Sequence, residues 1–234
     1  MATVDQPRHR RRRLRTWAYE NGLLLTCLAL FAVFFVGMIM AGVRHYNSEQ
    51  MEHGATEAIS VWSYLRTGDF VEAVFENWES EFLQMAMYVV LTIFLFQKGS
   101  SESKPPHETS PQDQDPRSVH ADPRSPWPVR RGGIWLTIYQ NSLAGAFFVL
   151  FFASFALHAV GGAAAYNSEQ LDHGQPTVSV WDYLGTAQFW FESMQNWQSE
   201  FIAVAAIIGG SIYLRQKGSP ESKPVAERSR ETGA

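Results

Sequence analysis

Two stretches of the chain set acid, imidazole and amide groups at helical spacing. Tyr46, Glu49, Gln50 and His53 fall at i, i+3, i+4 and i+7, and the same residue types return at Tyr166, Glu169, Gln170 and His173. On a helix that spacing makes one stripe. A second pair of stripes is Asn77, Ser80 and Glu81, with Asn196, Ser199 and Glu200. Glu49 with His53, and Glu169 with His173, can share a cation, with Glu81 and Glu200 completing the ligand set. Convergent imidazole and carboxylate groups are what a divalent metal asks for. The four-residue spacing departs, however, from the Glu-x-x-His of di-metal bundles. The plainer chemistry is a polar clasp. Hydrogen bonds would tie two helices together where an unpaired buried group costs about 1–3 kcal/mol. On that reading the chain has no catalytic residue and no cofactor, a divalent metal at these pairs being the alternative.

His158 is a different case. It is the one ionisable residue within an apolar run, and the matching position in the first half of the chain is Met38. An intramembrane histidine is a functional hypothesis by default. A hydrogen bond to a neighbouring helix is the simpler expectation.

Four apolar blocks must position these groups. Leu23–Val43 has no charge, and Leu143–Ala165 has only His158. Each is long enough to cross a hydrocarbon core of about 30 Å. Phe82–Phe96 and Phe201–Leu214 are shorter, but Trp78 and Trp197 precede them, and Lys98 and Arg215 follow. An aromatic anchor at one interface and a basic residue at the other frame a crossing. The expected fold is therefore an all-α membrane protein with four transmembrane helices, at about 23–43, 78–97, 143–165 and 197–214. Trp62 and Trp181 join Trp78 and Trp197 as interface anchors. The first block is too long for a signal h-region and is followed by no small-residue cleavage site.

Charge sets the orientation. Of the 19 Lys and Arg, 17 lie in residues 1–22, 98–133 and from 215 onward, while segments 44–81 and 166–200 hold two between them and 13 of the 23 acids. The positive-inside rule then makes both termini and the middle segment cytoplasmic. Residues 98–133 contain seven of the 11 prolines, mixed with Ser, Asp and Gln, and read as a disordered or extended linker. Residues 218–234 form a cytoplasmic tail.

The two halves, 23–97 and 134–217, match at an offset of 120 that falls to 119. Tyr46-Asn47-Ser48-Glu49-Gln50 recurs as Tyr166-Asn167-Ser168-Glu169-Gln170, and Asn77-Trp78-Glu79-Ser80-Glu81-Phe82 as Asn196-Trp197-Gln198-Ser199-Glu200-Phe201. Two spans per repeat make the hairpins tandem and parallel in orientation, and exclude inverted repeats. Gly54 and Gly174 suit helix C′ positions. Ser60, Ser179, Thr67 and Thr186 suit N-caps.

The Tyr-Asn-x-x-Gln-x-x-His-Gly and Asn-Trp-x-Ser-Glu-Phe segments resemble a small uncharacterised family of bacterial integral membrane proteins, a domain of unknown function of two-repeat, four-span type. The resemblance runs from about Leu14 to Pro224. It implies a bacterial inner membrane and supplies no activity.

Several classes are excluded. The single Cys27 rules out an internal disulfide. A net charge of -4 argues against nucleic-acid binding. Gly132-Gly133 and Gly161-Gly162 lack the context of a phosphate loop. What remains is an integral membrane protein with a structural or interaction role, whose partners are the bilayer and a protein or a second copy of itself. The alternatives are a small transporter or channel, and a membrane-bound metal-dependent enzyme using the outer Glu/His pairs.

Overall fold

Four side-chain oxygens start four helices. Ser63 N–H donates to Ser60 Oγ and Asp182 N–H to Ser179 Oγ, each at 3.2 Å. Phe70 and Phe189 N–H donate to Thr67 and Thr186 Oγ1, each at 3.3 Å. Each such cap satisfies a donor that the first helical turn leaves open, worth about 1 kcal/mol. They open helices α2 (Val61–Tyr64), α7 (Val180–Tyr183), α3 (Gly68–Phe94) and α8 (Ala187–Tyr213).

The computed structural model describes residues 13, 15–119 and 122–232. Most of the basic stretch Arg8–Arg15, expected in the cytoplasm, lies outside the described residues. Among the described residues every regular element is helical and no strand forms. The two longest helices are α1 (Gly22–Glu52) and α6 (Ser142–Asp172), each of 31 residues. At 1.5 Å per residue each is about 46 Å long, an apolar run plus a polar extension. Both are long and apolar enough to cross a membrane. The 27-residue helices α3 and α8 are less apolar.

The ends of α1 and α6 are built alike. Gly54 and Gly174 take positive φ, 96° and 67°. Gly54 N–H donates to the Met51 carbonyl and Ala55 N–H to that of Gln50; Gly174 and Gln175 repeat the pair on Leu171 and Gln170. This is the Schellman arrangement, in which a left-handed residue lets the chain satisfy the last carbonyls.

The chain divides into two compact units, Met1–Phe70 and Val71–Ala234, the boundary falling in the first turn of α3. Within the first, the Asn47 side chain closes two hydrogen bonds with the backbone of Ile59, 3.0 Å to its carbonyl and 2.8 Å from its N–H. Tyr64 packs against Tyr46 and Phe70, at ring distances of 5.8 and 5.5 Å.

The second unit uses Asn167 the same way, at 2.9 and 2.7 Å from Val178. Its apolar core is Ala159, Ala163, Tyr183 and Phe189, with Phe155, Tyr166 and Leu184 against it. Residues 98–133 form 3-10 turns at Pro111–Asp113 and Pro116–Val119 and the short helix α4 (Trp127–Arg131), followed by α5 (Gly133–Gln140). At the far end of this unit Ser100 and Ser211 share a buried hydrogen bond of 2.8 Å.

Candidate functional site

Gly161 and Gly162 make the site possible. A Cβ on Gly161 would lie 2.6 Å from the Glu72 backbone nitrogen, and one on Gly162 would lie 2.8 Å from Glu72 Oε1. The missing side chains let α6 run directly against the first turns of α3, since a glycine keeps no Cβ between the two backbones. One turn earlier on α6 stands His158.

His158 is wholly buried, and its two ring nitrogens face carboxylates on different helices. Nδ1 is 2.9 Å from Glu79 Oε2 on α3. Nε2 is 3.4 Å from Glu192 Oε2 on α8. The imidazole stacks on Phe189 with centroids 4.8 Å apart, which fixes the plane of the ring.

Glu79 is also wholly buried, and it is fully coordinated. Besides His158, Ser193 Oγ–H and Trp197 Nε1–H each donate to its Oε1 at 2.9 Å. Burial of a carboxylate is tolerated only with such compensation. Ser193, Trp197 and His158 Nδ1–H thus converge as three donors on this one acceptor group.

On the other side of His158 the balance is different. The Tyr183 hydroxyl is within reach of Glu72 Oε1 at 3.1 Å and of Glu192 Oε2 at 2.9 Å. A hydroxyl has one hydrogen to donate, so it serves one of these carboxylates at a time. Burial first, and then the charge of Glu72 and the contact with Glu192, push the Tyr183 hydroxyl well above its ordinary range. It stays protonated. One oxygen or nitrogen of Glu72, His158 and Glu192 lies within 4.8 Å of the others. Glu76 adds a fourth nearby carboxylate, close enough to interact with His158, Glu79 and Glu192. Among the described residues no Lys or Arg forms an ion pair with any of these acids.

The outer stripes read from the sequence take other positions. Glu49 lies 3.3 Å from His45 Nε2, one turn back on α1, and both side chains are exposed. Asn77 and Ser80 hydrogen-bond to carbonyls of their own helix, Ala73 and Asn77, and Glu81 is exposed. Asn196 and Ser199 do likewise on Glu192 and Asn196, with Glu200 half-buried. Tyr46 and Tyr166 pack on Tyr64 and Tyr183, Gln50 and Gln170 are half-buried, and His53, Glu169 and His173 are exposed at the end of their helices. Trp62 and Trp181 are 73% and 83% exposed, whereas Trp78 and Trp197 are half-buried.

The cluster around His158 therefore rests on residues outside the polar stripes expected from the sequence: Glu72, Glu79, Glu192 and Ser193. A signal for them exists in the sequence. At the repeat offset Glu72 stands opposite Phe191, Glu192 opposite Ala73, Ser193 opposite Val74 and Glu79 opposite Gln198, just as His158 stands opposite Met38. The acids and the imidazole of the cluster stand where the two halves differ, while Tyr183, Phe189 and Trp197 are shared, with counterparts Tyr64, Phe70 and Trp78.

No curated protein and no solved structure matches this chain. The profile of the family DUF6766 matches residues 14–234. That span takes in helices α1 to α8 and every residue of the His158 cluster, so the chain belongs to DUF6766, a domain of unknown function.

Proposed function

We propose that the chain is a bacterial inner-membrane protein in which α1, α3, α6 and α8 each cross the bilayer as two tandem hairpins, with a structural or interaction role. Both termini and residues 98–133 face the cytoplasm on this reading. The observation that carries it is the surface of α1. None of its most apolar 18-residue stretch is buried, and Leu23, Val33 and Phe34 are 81%, 65% and 70% exposed. A continuous apolar face of that size needs lipid or a partner around it, because soluble chains keep such patches to a few hundred Å². The same holds in part for α6, of whose apolar window 22% is buried.

The short helices α2 and α7 suit the outer interface. Each turns a tyrosine inward and a tryptophan outward. An amphipathic ring at headgroup level is favoured there, and the acids around it give the outer face a negative character open to a protein partner.

Alkaline carbonate extraction tests the membrane reading. The chain is expected to stay with the sedimented membranes and to be released by detergent; release by carbonate alone contradicts it. A photo-crosslinking residue at Trp62 or Trp181 tests the interaction role, which predicts a discrete protein adduct. Adducts to lipid alone would contradict that part.

A further inference from the structure

We propose that Glu72, His158 and Glu192 form a binding site for one divalent first-row transition ion, with Glu79 as the positioning residue for the imidazole. The site lies within one compact unit and does not rest on the number of spans.

Carboxylates outnumber cationic groups at this cluster. Glu79 has its full set of donors, and it takes the hydrogen of His158 Nδ1. On the other side Nε2 lies 3.4 Å from Glu192 Oε2, and the one Tyr183 hydroxyl hydrogen is divided between Glu72 and Glu192. Two carboxylates and one imidazole nitrogen thus converge, and among the described residues no Lys or Arg forms an ion pair with them. A divalent cation held by all three offsets the surplus of carboxylate charge.

One separation at the cluster matches a metal site. Charge-assisted N–H···O bonds close to about 2.7–2.9 Å, and the Nε2–Glu192 contact is longer than that. Two ligand atoms held about 2.0–2.2 Å from a tetrahedral ion stand about 3.4 Å apart. This is the separation observed between Nε2 and Oε2. Imidazole with two carboxylates is a nitrogen and oxygen set suited to zinc, manganese or ferrous iron. Three protein ligands leave a fourth position, beside the Tyr183 hydroxyl.

The support behind the ligands has the form that metal histidines use. A carboxylate on the far ring nitrogen fixes the tautomer and raises the basicity of the near one. Glu79 holds that place at zero exposure. Phe189 fixes the ring plane, and the Gly161-Gly162 step brings Glu72 within reach. Glu192 keeps 19% of its side chain exposed, which gives an ion a way in.

The test uses the full chain in detergent, stripped with chelator and titrated calorimetrically with Zn²⁺ and separately with Mn²⁺. Wild type is expected to take one ion per chain. Glu192→Gln and Glu72→Gln should each abolish binding with helicity unchanged. Glu79→Gln should weaken it about 10–100-fold, as loss of a supporting carboxylate does. His173→Ala, at the outer end of α6, should bind as wild type does. A measurement on wild type alone covers the case of a variant that does not fold. In ¹⁵N-histidine-labelled protein, Zn²⁺ should shift the His158 Nε2 resonance and leave Nδ1 protonated. The proposal is overturned if neither ion binds in stoichiometric amount, if binding survives Glu192→Gln and Glu72→Gln, or if the shifted histidine is not His158.

Discussion

Glu79 Oε2 and His158 Nδ1 lie 2.9 Å apart with neither side chain exposed to solvent. The two residues stand 79 positions apart in the chain, on different helices, so the contact is purely tertiary. Removing one partner of a buried pair strands the other, at a cost of about 3–5 kcal/mol. Glu79→Ala should lower the thermal midpoint of chelator-treated protein far more than Glu81→Ala, whose carboxylate is exposed. Equal midpoints would mean that the pair does not hold the helices.

Gly161 and Gly37 give a matched comparison. A Cβ at Gly161 meets the Glu72 backbone, while one at Gly37 meets nothing within 4 Å. Overpacking costs about 1–3 kcal/mol. Gly161→Ala is expected to destabilise by that order, and Gly37→Ala to be neutral or slightly stabilising. Denaturant unfolding of the two variants reads the difference directly.

Asn167 holds the loop after α6 by donating to the Val178 carbonyl and accepting from its N–H. Each bond contributes about 1 kcal/mol. Asn167→Ala should lose both and speed amide exchange at Val178. Asn167→Asp keeps the acceptor and loses the donor, so its effect should fall between. An unchanged exchange rate in Asn167→Ala would contradict the clasp.

The two short helices should respond differently to acid. In α7 the Ser179 hydroxyl and then its N–H hold the Asp182 carboxyl below its ordinary value of 3.8. A carboxyl lowered on folding stabilises above the unfolded value, and that contribution is lost as pH falls through the folded one. In α2 the equivalent position is Ser63, which does not titrate there. Acidification below 3.8 is expected to shift the Ser179 amide resonance and loosen α7 while α2 is unaffected. Asp182→Asn should abolish the pH dependence, and a parallel change at Ser60 would contradict the assignment.

Local features were legible in the sequence because local chemistry decides them. Ser60, Ser179, Thr67 and Thr186 cap helices since a short side-chain oxygen before an apolar run has little else to do. Gly54 and Gly174 end helices because they alone there adopt a left-handed turn without strain. The all-helical class follows from the long apolar runs of α1 and α6. The partners of His158 were not legible in the same way. Which carboxylates meet an imidazole depends on how α3, α6 and α8 pack, and that is set by the Gly161-Gly162 contact, not by spacing along one helix. Attention to repeated motifs also pointed elsewhere, since Glu72, Glu79 and Glu192 have no acidic counterpart in the other half.

The central claim is an orientation within a lipid bilayer, and single-cysteine accessibility in intact cells tests it most directly. Cys27 is the one native cysteine, and Cys27→Ser provides the background. Gln175→Cys, in the loop after α6, should react with a membrane-impermeant maleimide from outside. Asp115→Cys, in the segment between the hairpins, should react only after the inner membrane is opened. Labelling of Asp115→Cys in intact cells, with Gln175→Cys protected, would contradict the account.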